Sequence, residues 1–81
     1  MTSTQAADNR AHIVPGCRVR ITPEMGVPVV GTVESAKWTA LDGWHIDLMK
    51  DKGQEGVEAG YGRWIEGWEP GTVEVIEEGA R

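Results

Sequence analysis

Gly31-Thr32-Val33-Glu34-Ser35-Ala36-Lys37-Trp38, a short break, and Trp44-His45-Ile46-Asp47-Leu48-Met49 form the stretch whose reading decides the fold. At period two the segments are the arms of a β-hairpin. The second arm alternates, with Trp44, Ile46 and Leu48 on one face and His45, Asp47 and Met49 on the other. The break, Thr39-Ala40-Leu41-Asp42-Gly43, ends in Asp-Gly, which tolerates the positive φ of a tight return. A lone hairpin is marginal in water, so its apolar face demands further strands.

Those strands lie on both sides. Pro15-Gly16 makes an opening turn, and Cys17-Arg18-Val19-Arg20-Ile21 alternates apolar and basic residues, a strand with Cys17, Val19 and Ile21 inward. Pro28 restricts the start of the next strand to an edge or bulge position. With Val29, Gly31 and Val33 inward, Thr32, Glu34, Ala36 and Trp38 face outward; a β-bulge would reverse the later part of that set. Gly31 in mid-strand signals a sharp bend.

Downstream, residues 50–62 carry Gly53, Gly56, Gly60 and Gly62, a long loop expected to be mobile or functional, with a brief strand at Val57-Glu58-Ala59. Tyr61 to Ile65 reads as a fourth short strand. Trp64 and Trp68, at i and i+4, suit a single helical turn. Glu69-Pro70-Gly71 is a turn, and Thr72 to Glu77 closes the domain with Val73 and Val75 on one face. The expectation is an all-β fold: a small five-stranded barrel over residues 13–77, with a helical turn before the last strand. A disordered arm over residues 1–12 precedes it, and a frayed tail over 78–81 follows.

Composition narrows the function classes. The 81 residues suit one domain with one small core. Thirteen acidic side chains against eight Lys and Arg give a net charge of −5, which disfavours phosphate backbones and anionic membranes as partners. Cys17 is the sole cysteine, so no intrachain disulfide exists and a reducing cytoplasm is the expected setting. Residues 1–12 are polar, with no apolar run that would make a signal peptide or anchor.

Catalytic and metal chemistry find little support in the spacing. Cys17 alternates with core residues and reads as an inert buried thiol. His45 reads as a solvent-facing strand histidine, and with Asp47 it makes two ligands where structural zinc takes four. No metal, no cofactor and no catalytic residue is expected. The Gly-Tyr-Gly-Arg run at residues 60–63 lacks the Lys-Ser/Thr ending of a phosphate loop. Nucleic-acid binding would use Arg18, Arg20 and Lys37, a narrow strip against the overall acidity.

The aromatics carry the sharper expectation. Phe is absent and Trp occurs four times. Trp44 belongs to the core by its alternation. Trp38, Tyr61, Trp64 and Trp68, with Glu66 and Glu69 beside them, make a candidate surface for a protein or peptide partner, through cation–π attraction and groove packing, or for a second copy of the chain. The competing expectation is that Trp64 and Trp68 plug the ends of the barrel.

The order of elements resembles SH3-like barrels of the bacterial kind. The residues that carry the likeness are Pro-Gly-Cys-Arg-Val-Arg-Ile at 15–21, Gly-Thr-Val at 31–33, Asp-Gly-Trp-His-Ile at 42–46, and a Trp-rich turn leading into Val73-Glu74-Val75-Ile76. Domains of this shape include KOW-type and Tudor-like modules and small phage or mobile-element proteins, and the resemblance implies a binding role. Gly16-Cys17-Arg18-Val19-Arg20 and Leu41-Asp42-Gly43-Trp44 also look like the opening strand and mid-chain turn of the plasmid-borne type II dihydrofolate reductases, which assemble as tetramers around a central pore. The catalytic Val-Gln-Ile-Tyr run of those enzymes has no counterpart here: the region reads Gly56-Val57-Glu58-Ala59-Gly60-Tyr61. That resemblance implies the fold; an oligomeric enzyme built like these reductases, with its site on the shared axis, is the second alternative after a KOW-like nucleic-acid module.

Overall fold

A computed structural model describes residues 13–77; the expected arm at 1–12 and tail at 78–81 lie outside the described residues. Five strands follow in order: β1 (Arg18–Pro23), β2 (Val29–Thr39), β3 (Gly43–Lys50), β4 (Gly60–Ile65) and β5 (Gly71–Glu77). They make one antiparallel sheet in the order β4-β3-β2-β1-β5. The first four strands form a meander, and β5 returns to pair with β1. No ladder joins β4 to β5, so the sheet is open rather than closed.

The decisive hairpin is β2–β3. Gly43 takes φ 72°, the conformation expected of the Asp-Gly return, and the Asp42 amide donates to Thr39 Oγ1 at 3.0 Å. The expected alternation of β3 is present, with Trp44, Ile46 and Leu48 buried. In β2 the register passes from Val33↔Leu48 to Ser35↔Asp47, leaving Glu34 as an unmatched residue. This is the bulge that reverses parity. Ala36 and Trp38 consequently lie on the face of Ile46 and Trp44, while Ser35 and Lys37 lie across from Asp47 and His45.

The core draws on every strand. Ile13, Cys17, Val19, Ile21, Val33, Trp44, Ile46, Leu48 and Trp64 form one buried cluster, against which Val29, Ala36, Val73 and Val75 pack. Cys17 is a free thiol with no exposed surface. A sheet whose two edge strands both contribute to one cluster must curl its apolar face around that cluster.

Two expectations are corrected. The described residues contain no helix, and Trp64 and Trp68 share no helical turn. Trp64 lies in β4, and the amides of Trp68 and Glu69 both donate to the Ile65 carbonyl, at 3.0 and 2.9 Å. The turn does not propagate into a helix because Pro70 has no amide to donate to the Glu66 carbonyl. Nor do Val57 to Ala59 form a strand. The loop before β4 is instead tied to the sheet: Asp51 accepts two bonds from Arg18, and Gln54 pairs with both main-chain groups of Val30. Among the described residues no helix is long and apolar enough to cross a membrane.

Candidate functional site

The six residues expected to form one aromatic–acidic surface are distributed over three places. Trp64 belongs to the core at 4% exposure, its Nε1–H donating to the Glu69 carbonyl at 2.8 Å. Trp68 stands outside at 75% exposure. Trp38, across from Trp44 near the end of β2, is 44% exposed. Tyr61 faces outward across from Met49, toward the opposite end of β3.

Trp38 and Trp68 occupy the same end of the sheet because the β4–β5 turn is fastened to the β2–β3 return. Besides the Gly67–Asp42 bond, the Glu66 amide donates to the Trp44 carbonyl at 2.8 Å. The Glu66 side chain serves the backbone: its Oε1 accepts the Trp44 amide at 3.1 Å. Glu69 remains exposed next to Trp68. The same end carries Leu41, which sequence reasoning passed over and which is 90% exposed at the hairpin tip. A large apolar residue inside a turn, with no strand partner to cover it, was the available signal. Trp38, Leu41 and Trp68 thus make one apolar end.

A second arrangement lies on the outer face of β2, β3 and β4. Asp47 Oδ1 accepts the Tyr61 hydroxyl at 2.6 Å and Arg63 Nε at 2.8 Å, while Oδ2 accepts the Ser35 hydroxyl at 2.8 Å. These bonds, that of Arg63 foremost, hold the Asp47 carboxyl at about 2. Donation to Asp47 likewise raises the Tyr61 hydroxyl and the Arg63 guanidinium. Ser35, Lys37, His45, Asp47 and Arg63 line a shallow concavity of about 460 Å³. Asp47, one of the lining residues, has both carboxylate oxygens already engaged. His45 Nε2 is buried without a hydrogen-bond partner, 3.6 Å from Asp42 Oδ2. Among the described residues no three His, Cys, Asp or Glu side chains are grouped so as to hold a metal ion.

The basic strip is largely neutralised. Arg18 donates to both Asp51 oxygens, at 2.8 and 2.5 Å, and lies 3.9 Å from Glu77. Arg20 bonds Glu74 at 2.9 Å across the β1–β5 ladder. Among the described residues, Lys37 alone of the three forms no ion pair. Comparison with protein-family models, with curated proteins and with solved structures gives no match.

Proposed function

We propose that this protein is a non-enzymatic interaction module of SH3-like small-barrel type, binding a protein or peptide partner, or a second copy, through its apolar end. The barrel reading is supported by the meander of four strands, the return of β5 to β1, and a core shared by both edge strands. The binding reading is carried by one observation. Trp68 and Leu41 are both largely exposed, and hydrogen bonds to Asp42 and Trp44 hold them at one end of the sheet. Exposed tryptophan is costly in water and is a frequent anchor of interfaces. Glu69 supplies a carboxylate beside it for a cationic segment. The pairing of Arg18 and Arg20 with acids favours a protein ligand over a phosphate backbone. A single buried thiol suits a reducing cytoplasm.

The test is Trp68→Ala and Leu41→Ala, with folding followed by near-ultraviolet circular dichroism and association by sedimentation. Both variants should fold as the parent does and associate more weakly. Unfolding of Trp68→Ala would return that residue to the core and remove the site.

A further inference from the structure

We infer that the free edge of β4 is a self-pairing surface, on which a second copy of the chain adds antiparallel about a twofold axis at Gly62. The inference deepens the self-association side of the proposed function and uses a different surface from the apolar end.

The ladder geometry identifies which groups are free. The Glu66 amide donates to the Trp44 carbonyl, so residues 44 and 66 face each other as a hydrogen-bonded pair. Bonded and non-bonded pairs alternate along an antiparallel ladder. Ile46↔Trp64, Leu48↔Gly62 and Lys50↔Gly60 are then the bonded pairs, and Tyr61, Arg63 and Ile65 direct their main-chain groups away from β3. Ile65 confirms the parity, because its carbonyl is taken from outside the ladder by the amides of Trp68 and Glu69. That turn closes the edge at Ile65. Tyr61 and Arg63 remain, and no other described strand lies against them.

Three features fit a second copy to this short edge. Tyr61 and Arg63 both reach back to Asp47 Oδ1 over the outer face, so their side chains leave the edge groups uncovered. Antiparallel pairing about Gly62 sets Tyr61 across from Arg63 of the second copy and Arg63 across from its Tyr61, each pair exchanging both main-chain bonds. This register keeps the two guanidiniums out of directly opposed positions. Gly62 opposes itself at the axis, the close non-bonded position, where it presents no side chain.

Amide hydrogen exchange at low and high protein concentration, with sedimentation, tests the pairing. The Tyr61 and Arg63 amides should slow by about tenfold or more as the dimer forms, and the mass should double. Arg63→Pro removes an edge donor together with the Arg63–Asp47 pair, but no donor to β3, and should leave a folded monomer. If that variant fails to fold, the exchange measurement decides alone. Trp68→Ala should retain the edge protection, which separates this surface from the apolar end. A wild-type monomer at the highest concentration would overturn the inference. So would a dimer with unprotected Tyr61 and Arg63 amides, or protection of these amides by an extended peptide without doubling of mass.

Discussion

Glu66 and Trp44 are joined at two points: the Glu66 amide donates to the Trp44 carbonyl at 2.8 Å, and Glu66 Oε1 accepts the Trp44 amide at 3.1 Å. A side chain thereby completes the β3–β4 ladder where the main chain turns away. Trp44 is a core residue, so its amide has little access to water once that acceptor is gone. Glu66→Ala should cost about 1.5–3 kcal/mol, the range for a hydrogen bond to a charged group. Glu66→Gln keeps a carbonyl oxygen in place and should cost less. Urea denaturation followed by tryptophan fluorescence measures both, and equal losses would mean the acceptor geometry is not what matters.

Acid should reveal the outer-face network. Arg63 first, then the Tyr61 and Ser35 hydroxyls, hold the Asp47 carboxyl at about 2 against an ordinary 3.8. The folded value lies below the unfolded one, so the stabilisation is full above 3.8 and is lost as pH falls toward about 2. Asp47→Asn should lower stability at neutral pH by on the order of 1 kcal/mol, because solvent screens a half-exposed pair. The difference from wild type should then shrink across that acid window. A constant difference at all pH values would show that packing, not charge, is responsible.

The β2–β3 hairpin and the inward faces of β1, β3 and β5 were legible because period-two alternation and Asp-Gly are local signals. Trp38 was not: its face depends on the bulge at Glu34, and nothing local distinguishes Glu34 from Ser35 as the residue left unmatched. The helical turn failed for a related reason. Trp64 and Trp68 have helical spacing, but Trp64 is held in β4 across from Ile46, a pairing made only when β3 arrives. The Asp47–Arg63–Tyr61 network was equally hidden, since it joins residues through a cross-strand register that composition does not specify. The acidic residues beside the tryptophans were visible, but not that Glu66 serves the backbone.

Gly31 shows where close approach limits substitution. A Cβ there would lie 2.5 Å from the Met49 carbonyl oxygen and 2.9 Å from Leu48 Cδ1. The oxygen belongs to the paired strand and cannot yield without moving the ladder. Gly31→Ala should therefore cost about 1–3 kcal/mol, as overpacked positions do. Gly26→Ala, whose Cβ would meet Pro23 at an ordinary 3.5 Å, is the matched control and should be nearly neutral. Thermal unfolding of the two variants reads the contrast, and equal midpoints would show that the hairpin absorbs the methyl.

Gln54 acts as a one-residue strand. Its Oε1 accepts the Val30 amide at 2.7 Å, and its Nε2 donates to the Val30 carbonyl at 2.8 Å and to the Asp51 carbonyl at 3.0 Å. The glycine-rich loop is thereby anchored where its composition alone suggested mobility. In Gln54→Ala the Val30 carbonyl keeps the Asp51 amide at 3.0 Å, whereas the Val30 amide loses its acceptor. The expected result is a loss of about 1 kcal/mol together with faster exchange of the Val30 amide and quicker tryptic cleavage at Lys52. The Arg18–Asp51 pair still holds the loop's first residue, so β2 and β3 should keep their protection. If the Val30 amide exchanges at the parental rate, the loop is held by Arg18 and Asp51 alone, and Gln54 merely lies against the strand.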